Sequence, residues 1–112
     1  MPQFVTIGYG DEAGYQRTAE SVRNAAHAHD AKLVADGAVM GVAGKPVQVR
    51  NHDDRGIKTA NGPYLQSELP IAGFGVIEAD TIEQAIQLAS KSPCAVAHGV
   101  IEVWPLIDPS DK

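Results

Sequence analysis

The sequence predicts an α+β fold of ferredoxin-like type, a βαββαβ sandwich with an antiparallel sheet and an extra hairpin strand. The first observation is that β-branched and aromatic segments alternate with two segments of helical periodicity along the 112 residues. The second is the segment 71–79, which is apolar on both sides and is therefore typical of a strand covered on both faces. The length indicates one domain, 1–112, and we expect the polar end, 107–112, to be a flexible tail.

The first half of the chain begins with a predicted strand and a predicted helix. Residues 3–9, QFVTIGY, are β-branched and aromatic, as in a buried strand. Residues 15–36 carry apolar side chains at alternating steps of four and three, which predicts one long helix ended by Gly37. The predicted stripe consists of Tyr15, Ala19, Val22, Ala26, His29 and Leu33.

The second half of the chain carries the hairpin, the central strand and the second helix. Residues 38–50 predict a strand, a turn and a strand, and a short strand returns at 57–60 after the polar turn NHDDRG. In the strand 71–79, alternation places Phe74 and Val76 on the side opposite Gly73, Gly75 and Ile77.

The clearest helix signal is DTIEQAIQLASKS at 80–92. Asp80 has the residue type of a cap, and Glu83 follows it at capping-box spacing. Pro93 is expected to stop this helix, and the last strand is predicted at 99–106.

Composition and charge exclude several classes of function. The formal charge is −5 with scattered Lys and Arg, which argues against a nucleic-acid partner. The single cysteine, Cys94, cannot form an internal disulfide, and no Cys/His spacing suits a metal ion. We expect no cofactor. No signal peptide or membrane span is recognisable, so a cytoplasmic location is expected by default.

Five motifs in order resemble the YCII-related family in its DGPF branch. They are IGYGDEAG (7–14), VQVRN (47–51), NGPY (61–64), GFGVIEADTIEQAIQLA (73–89) and GVIEVWPL (99–106). The Asn-Gly-Pro-Tyr turn stands where the branch has Asp-Gly-Pro-Phe. The resemblance implies the dimeric α/β barrel type of fold, a homodimer in which one sheet face meets the helices and the other meets the partner.

The resemblance also implies a site. In the YCII branch, a His on the first helix and an Asp at the end of the first strand are the proposed acid/base pair, and a few members eliminate chloride from aromatic substrates. Asp11 matches the Asp, although it could equally be a loop carboxylate or a helix cap. The histidine position falls on Ala26, beside His27 and His29. His29 lies on the apolar stripe, so we expect it, rather than His27, to face the cleft.

Five further residues are candidates for the wall of a ligand pocket. Tyr9, Tyr64 and Phe74 are aromatics that would lie near a pocket or the dimer face, with core packing as the alternative. After its turn the branch usually offers two glutamates, and this chain has Gln66 at one of these positions, with Glu68 nearby. Gln66 could still form hydrogen bonds with a ligand.

Two classes of function follow from these residues. The first is a small-molecule-binding or regulatory module that uses the cleft without catalysis. The second is a cofactor-free lyase-like or hydrolase-like enzyme, in which His29 or His27 moves a proton and Asp11 orients the imidazole. An imidazole within hydrogen-bond reach of Asp11, opening on a cavity, would favour the enzyme.

Overall fold

The computed structural model describes residues 2–111 as one antiparallel sheet with helices on one face and a separate two-stranded hairpin. The strands are β1 Gln3–Tyr9, β2 Val39–Val42, β3 Val47–Arg50, β4 Lys58–Asn61, β5 Ile71–Glu78 and β6 Val100–Leu106. The helices are α1 Glu12–Arg17, α2 Glu20–Ala35, α3 Ile82–Ala89 and α4 Pro93–Val96, and short 3-10 turns lie at His52–Asp54 and Pro109–Asp111.

The order of strands in the main sheet is β2-β5-β1-β6, with antiparallel pairing throughout. When the hairpin strands are set aside, this order reads 2-3-1-4 in sequence order, which is the arrangement of a ferredoxin-like βαββαβ unit. The predicted fold class is therefore confirmed. No helix within residues 2–111 is long and apolar enough to cross a membrane.

The hydrophobic core lies between the sheet and α3. Phe4, Ile77, Ala79 and Ala85 form a buried cluster there. Phe4 and Ile77 are directly opposite in the β1–β5 register, so their side chains leave the sheet on the same, helix-covered side. The amphipathic helix α3 thus covers the end of the sheet near the start of β1.

The opposite side of the sheet is uncovered and largely apolar. Val5 pairs with both Val76 and Trp104, and Ile7 pairs with Phe74, so these five side chains share one side. We call this surface the open face. Phe74 and Trp104 are half exposed there.

The predicted helix at 15–36 is two helices, which corrects its predicted bounds. Asp11 caps α1, and the chain is extended at Thr18 and Ala19 before α2 begins at Glu20. The Thr18 hydroxyl donates a hydrogen bond to the Gly14 carbonyl, and such a bond competes with continuation of the helix.

The helix predicted at 80–92, which is α3, is capped one residue later than predicted. The Thr81 hydroxyl, rather than Asp80, accepts a hydrogen bond from the Gln84 backbone N–H. The Gln84 side chain in turn accepts from the backbone N–H of Asp80, the residue before the cap, so the arrangement differs from a true capping box, which would use the N–H of Thr81. α3 ends at Ala89, before the predicted stop at Pro93, and Pro93 instead begins α4, because its missing N–H costs nothing at a first helical position.

The predicted strands at 38–50 exist, but they belong to different sheets. β2 pairs with β5 in the main sheet, whereas β3 pairs with β4 in the hairpin. All four residues of β4 are exposed. The tail expected at 107–112 stays a prediction, and its last residue lies outside the described part of the chain.

Candidate functional site

A cavity of about 580 Å³ lies between the helix-covered side of the sheet and α1, α2 and α4. Volumes of this order are those of pockets that hold small molecules. Residues from five elements are among those that line it: Thr6, Gly8, Met40, Gly73, Cys94 and Ile101. No residue of the core cluster lines the cavity, and Phe74 is the member of the open face that borders it.

Two glycines of the sheet lie at the floor of the cavity. Gly8 and Gly73 are directly opposite in the β1–β5 register. A Cβ on Gly73 would lie 2.7 Å from the carbonyl oxygen of Gly41, and a Cβ on Gly8 would lie 2.8 Å from Sγ of Cys94. Larger residues at either position would therefore clash, and the two glycines allow Cys94 and β2 to pack closely against the sheet beside the cavity.

A hydrogen-bonded pair of aromatic side chains forms part of the polar wall. The hydroxyl of Tyr15 lies 2.8 Å from Nε2 of His27, and both residues line the cavity. The two rings meet edge to face, and the guanidinium of Arg23 lies 4.9 Å from the centre of the Tyr15 ring. These contacts hold the imidazole of His27 at the cavity wall, where it could exchange a proton with a ligand.

Asp30 contributes a carboxyl group that lacks a protein partner. It is half-buried and lines the cavity, and its Oδ1 is buried without a hydrogen bond within residues 2–111. Burial raises the pKa of Asp30 above its ordinary value, while the imidazoles of His29 and His27 oppose that shift. An unpaired carboxyl in such a wall is a natural anchor for a hydrogen-bond donor.

The histidine expected in the cleft lies elsewhere, which corrects the preference for His29 over His27. Nε2 of His29 lies 2.6 Å from the carbonyl oxygen of Leu88 in α3, and it is His27 that lines the cavity. The expected stripe was counted through Thr18, where the chain leaves the helix. Since α1 is a separate helix, its Tyr15 meets His27 from the cavity side.

Asp11 lines the cavity but is engaged as a helix cap. Its Oδ1 accepts a hydrogen bond of 2.8 Å from the Gly14 backbone N–H. The hydrogen bonds within residues 2–111 link neither His27 nor His29 to this carboxylate. The structure therefore does not join the expected acid/base pair directly.

The five predicted pocket residues are dispersed. Phe74 borders the cavity from β5, while strand alternation places its ring on the open face. The Tyr9 hydroxyl donates a 2.6 Å hydrogen bond to Glu102, which raises the pKa of Tyr9. Tyr64, 77% exposed, lies beside the hairpin, where the Arg50 guanidinium is 5.7 Å from its ring centre. The other two, Gln66 and Glu68, are exposed between β4 and β5.

The lining residues that sequence reasoning did not assign to the site include Thr6, Tyr15, Asp30 and Cys94. A signal for Asp30 exists, because it follows His27 by three residues and so lies on the same face of a helix. Tyr15 was assigned to the buried stripe of a single helix. Within residues 2–111, no group of three His, Cys, Asp or Glu side chains is placed to hold a metal ion.

The fold and the cavity together define a small ferredoxin-like α+β domain with a pocket of ligand size between its sheet and its helices. The chain belongs to the YCII-related domain family, whose model matches residues 3–109. The family assignment made from the five motifs is thus confirmed. No curated protein has a sequence that matches the chain significantly.

Proposed function

We propose that this chain is a homodimeric small-molecule-binding module of a regulatory kind, whose ligand occupies the cavity between the sheet and the helices. The observation that carries this proposal is the cavity itself, about 580 Å³, which is lined by residues of the sheet and of α1, α2 and α4. An empty space of that size between the sheet and the helices lowers the packing density. A space of this size is typical of a ligand site. The motif order supports the DGPF branch of the family, and that assignment is part of the same proposal.

The open face supports the dimeric part of the proposal. It presents Val5, Ile7, Phe74, Val76 and Trp104 together on one side of the sheet. Contiguous apolar surfaces of this kind mark interaction sites in water. Two copies related by a two-fold axis and packed through this face would bury it. Both cavities would then lie on the outer, helix-covered sides.

Native mass spectrometry of gently purified full-length protein tests both parts at once. We expect a dimer, and we expect a fraction of it to carry the additional mass of a retained small molecule. A matched sample that is denatured and refolded should give the dimer without that mass. A monomer would contradict the dimer, and a dimer that neither retains nor rebinds the extracted molecules would contradict the binding function.

The second candidate is a cofactor-free enzyme that uses general acid/base chemistry on a small organic molecule. The specific observation in its favour is the 2.8 Å contact between Tyr15 and His27 in the cavity wall. In this form the Tyr15 hydroxyl, rather than Asp11, orients the imidazole. His27 would then take a proton from the ligand or give one to it.

Incubation of the extracted molecule with fresh protein distinguishes the two candidates. If the chain is an enzyme, the mass of the molecule changes, and His27→Asn slows that change by about 100-fold or more, the usual worth of a positioned acid or base. His52→Asn is the matched control, because His52 is exposed in the hairpin turn. An unchanged mass with the native protein would leave only the binding function.

A further inference from the structure

We infer that the cavity selects a small organic cation, an amine with a short apolar body, whose ammonium group binds between Asp30 and Thr6. This inference rests on the proposed binding function and names the chemical class of its ligand. It follows from the acidic lining of the cavity, from the carboxyl of Asp30 and the hydroxyl of Thr6, which have no hydrogen-bond partner within residues 2–111, and from the apolar floor.

The charged side chains that line the cavity are acidic, and the guanidinium of Arg23 lies beside the wall, over the Tyr15 ring. The lining residues include Asp11, Glu12 and Asp30, and no lysine or arginine is among them. Two of the three carboxylates have protein partners, since Asp11 caps α1 and Glu12 accepts from Gln16. An anion entering this space would be repelled, whereas a cation would be attracted.

Asp30 is the carboxyl group that lacks compensation. Its buried Oδ1 has no hydrogen-bond partner within residues 2–111. Burial raises the pKa of this carboxyl, and the imidazoles of His29 and His27 oppose that shift. His27 and His29 are already hydrogen-bonded, to Tyr15 and to the Leu88 carbonyl, so an ammonium group on the ligand would be the strong donor that Asp30 lacks.

Thr6 offers a second, independent polar anchor. It is 8% exposed and lines the cavity from β1, and none of the side-chain hydrogen bonds within residues 2–111 engages its hydroxyl. Its Oγ1 lies 2.6 Å from the position that a Cβ on Gly75 would take, on the helix-covered side of the sheet. The N–H of an ammonium group can donate to this hydroxyl oxygen.

The remaining surface suits an apolar body rather than a second charge. Met40, Cys94 and Ile101 line the floor with apolar or weakly polar side chains, and Gly8 and Gly73 add no side chain of their own. A ring or short alkyl chain can lie on such a floor while its amine reaches the carboxyl and hydroxyl. The ligand class is therefore a monoamine with one small apolar group.

Three probes of nearly equal shape test this inference: benzylamine, benzyl alcohol and benzoate. Titration calorimetry on the full-length protein at neutral pH should show benzylamine binding at least about tenfold more tightly than benzyl alcohol, because its hydrogen bond is charge-assisted. Benzoate should bind most weakly. Asp30→Asn should remove the advantage of the amine and leave the affinity for the alcohol nearly unchanged.

Asp36→Asn is the matched control, because Asp36 is an exposed carboxylate at the end of α2 that pairs with Lys32 outside the cavity. It should leave all three affinities unchanged. Thr6→Val should weaken the amine several-fold without reversing the preference.

The outcomes separate this inference from the function on which it rests. If the alcohol or benzoate binds as tightly as the amine, the ligand class is wrong and the binding cavity stands. If Asp30→Asn keeps the full preference for the amine, Asp30 is not the anchor and the inference fails. If none of the three probes binds, the inference fails as well, and the retained mass in native spectra decides the binding function separately.

Discussion

Trp104→Glu is expected to convert the proposed dimer into a folded monomer. Trp104 lies in β6, is 55% exposed, and is directly opposite Val5 in the register of the open face. Val5 is in turn opposite Val76 in β5, so the indole adjoins an apolar row that crosses three strands. A two-fold dimer through this face would place two new carboxylates in its apolar interface.

The expected size of this effect follows from the cost of an unpaired charge in a dry interface. Leaving a buried charge without a partner costs about 3–5 kcal/mol, which corresponds to a rise in the dissociation constant of roughly 100-fold to 1,000-fold or more. Sedimentation velocity over a range of protein concentrations measures that rise directly. Circular dichroism should show the native fold, because Trp104 is outside the core cluster.

Gln87→Glu is the matched control for the charge itself. Gln87 is exposed in α3, on the helix-covered side of the molecule, and the substitution adds the same negative charge. It should leave the dimer intact. If Trp104→Glu remains a dimer with an unchanged dissociation constant, the open face is not the interface, and the dimer must form through another surface.

The fold was predictable because its signals are local and repeated. Each strand of the main sheet carries β-branched or aromatic residues. The segment 71–79 is apolar on both sides, and each side has its own role in the structure. Ile77 faces the core under the helices, whereas Phe74 and Val76 belong to the open face. Alternation with period two is visible in sequence, so both roles could be inferred from it.

The site was less predictable because it depends on one interruption of the predicted helix at Thr18. The extended conformation at Thr18 divides a continuous helical pattern, and it directs His27 rather than His29 to the cavity. A threonine that bonds to the preceding turn has no distinctive pattern in sequence. The Gly8–Gly73 pair is equally hidden, since it exists only through the register of two strands separated by more than sixty residues.

The second large effect is expected for Gly99→Ala, which should unfold much of the protein at moderate temperature. Gly99 joins α4 to β6, and its N–H donates to the Cys94 carbonyl. A Cβ at this position would lie 2.1 Å from the carbonyl oxygen of Tyr9 and 2.6 Å from that of Cys94. Both neighbours are backbone atoms, so neither can move without disturbing β1 or the end of α4.

The loss of stability should be large compared with ordinary substitutions. Overpacking typically costs about 1–3 kcal/mol, and here the clash is with fixed backbone, so we expect about 3 kcal/mol or more. Urea denaturation followed by circular dichroism gives the difference in free energy of unfolding. Gly44→Ala is the control, since a Cβ there has open space and the change should stay within about 0.5 kcal/mol.

Gly99→Ala should also affect the cavity before the whole protein unfolds. Relief of the clash requires α4 to move away from β1, and α4 carries Cys94, which covers the Gly8 part of the floor. Ligand affinity should therefore fall even at temperatures where the sheet is intact, whereas the proposed dimer, which would use the opposite face of the sheet, should persist there. If the variant is as stable as the native protein and retains the same ligand, the close approach of Gly99 to Tyr9 is not a constraint on this fold.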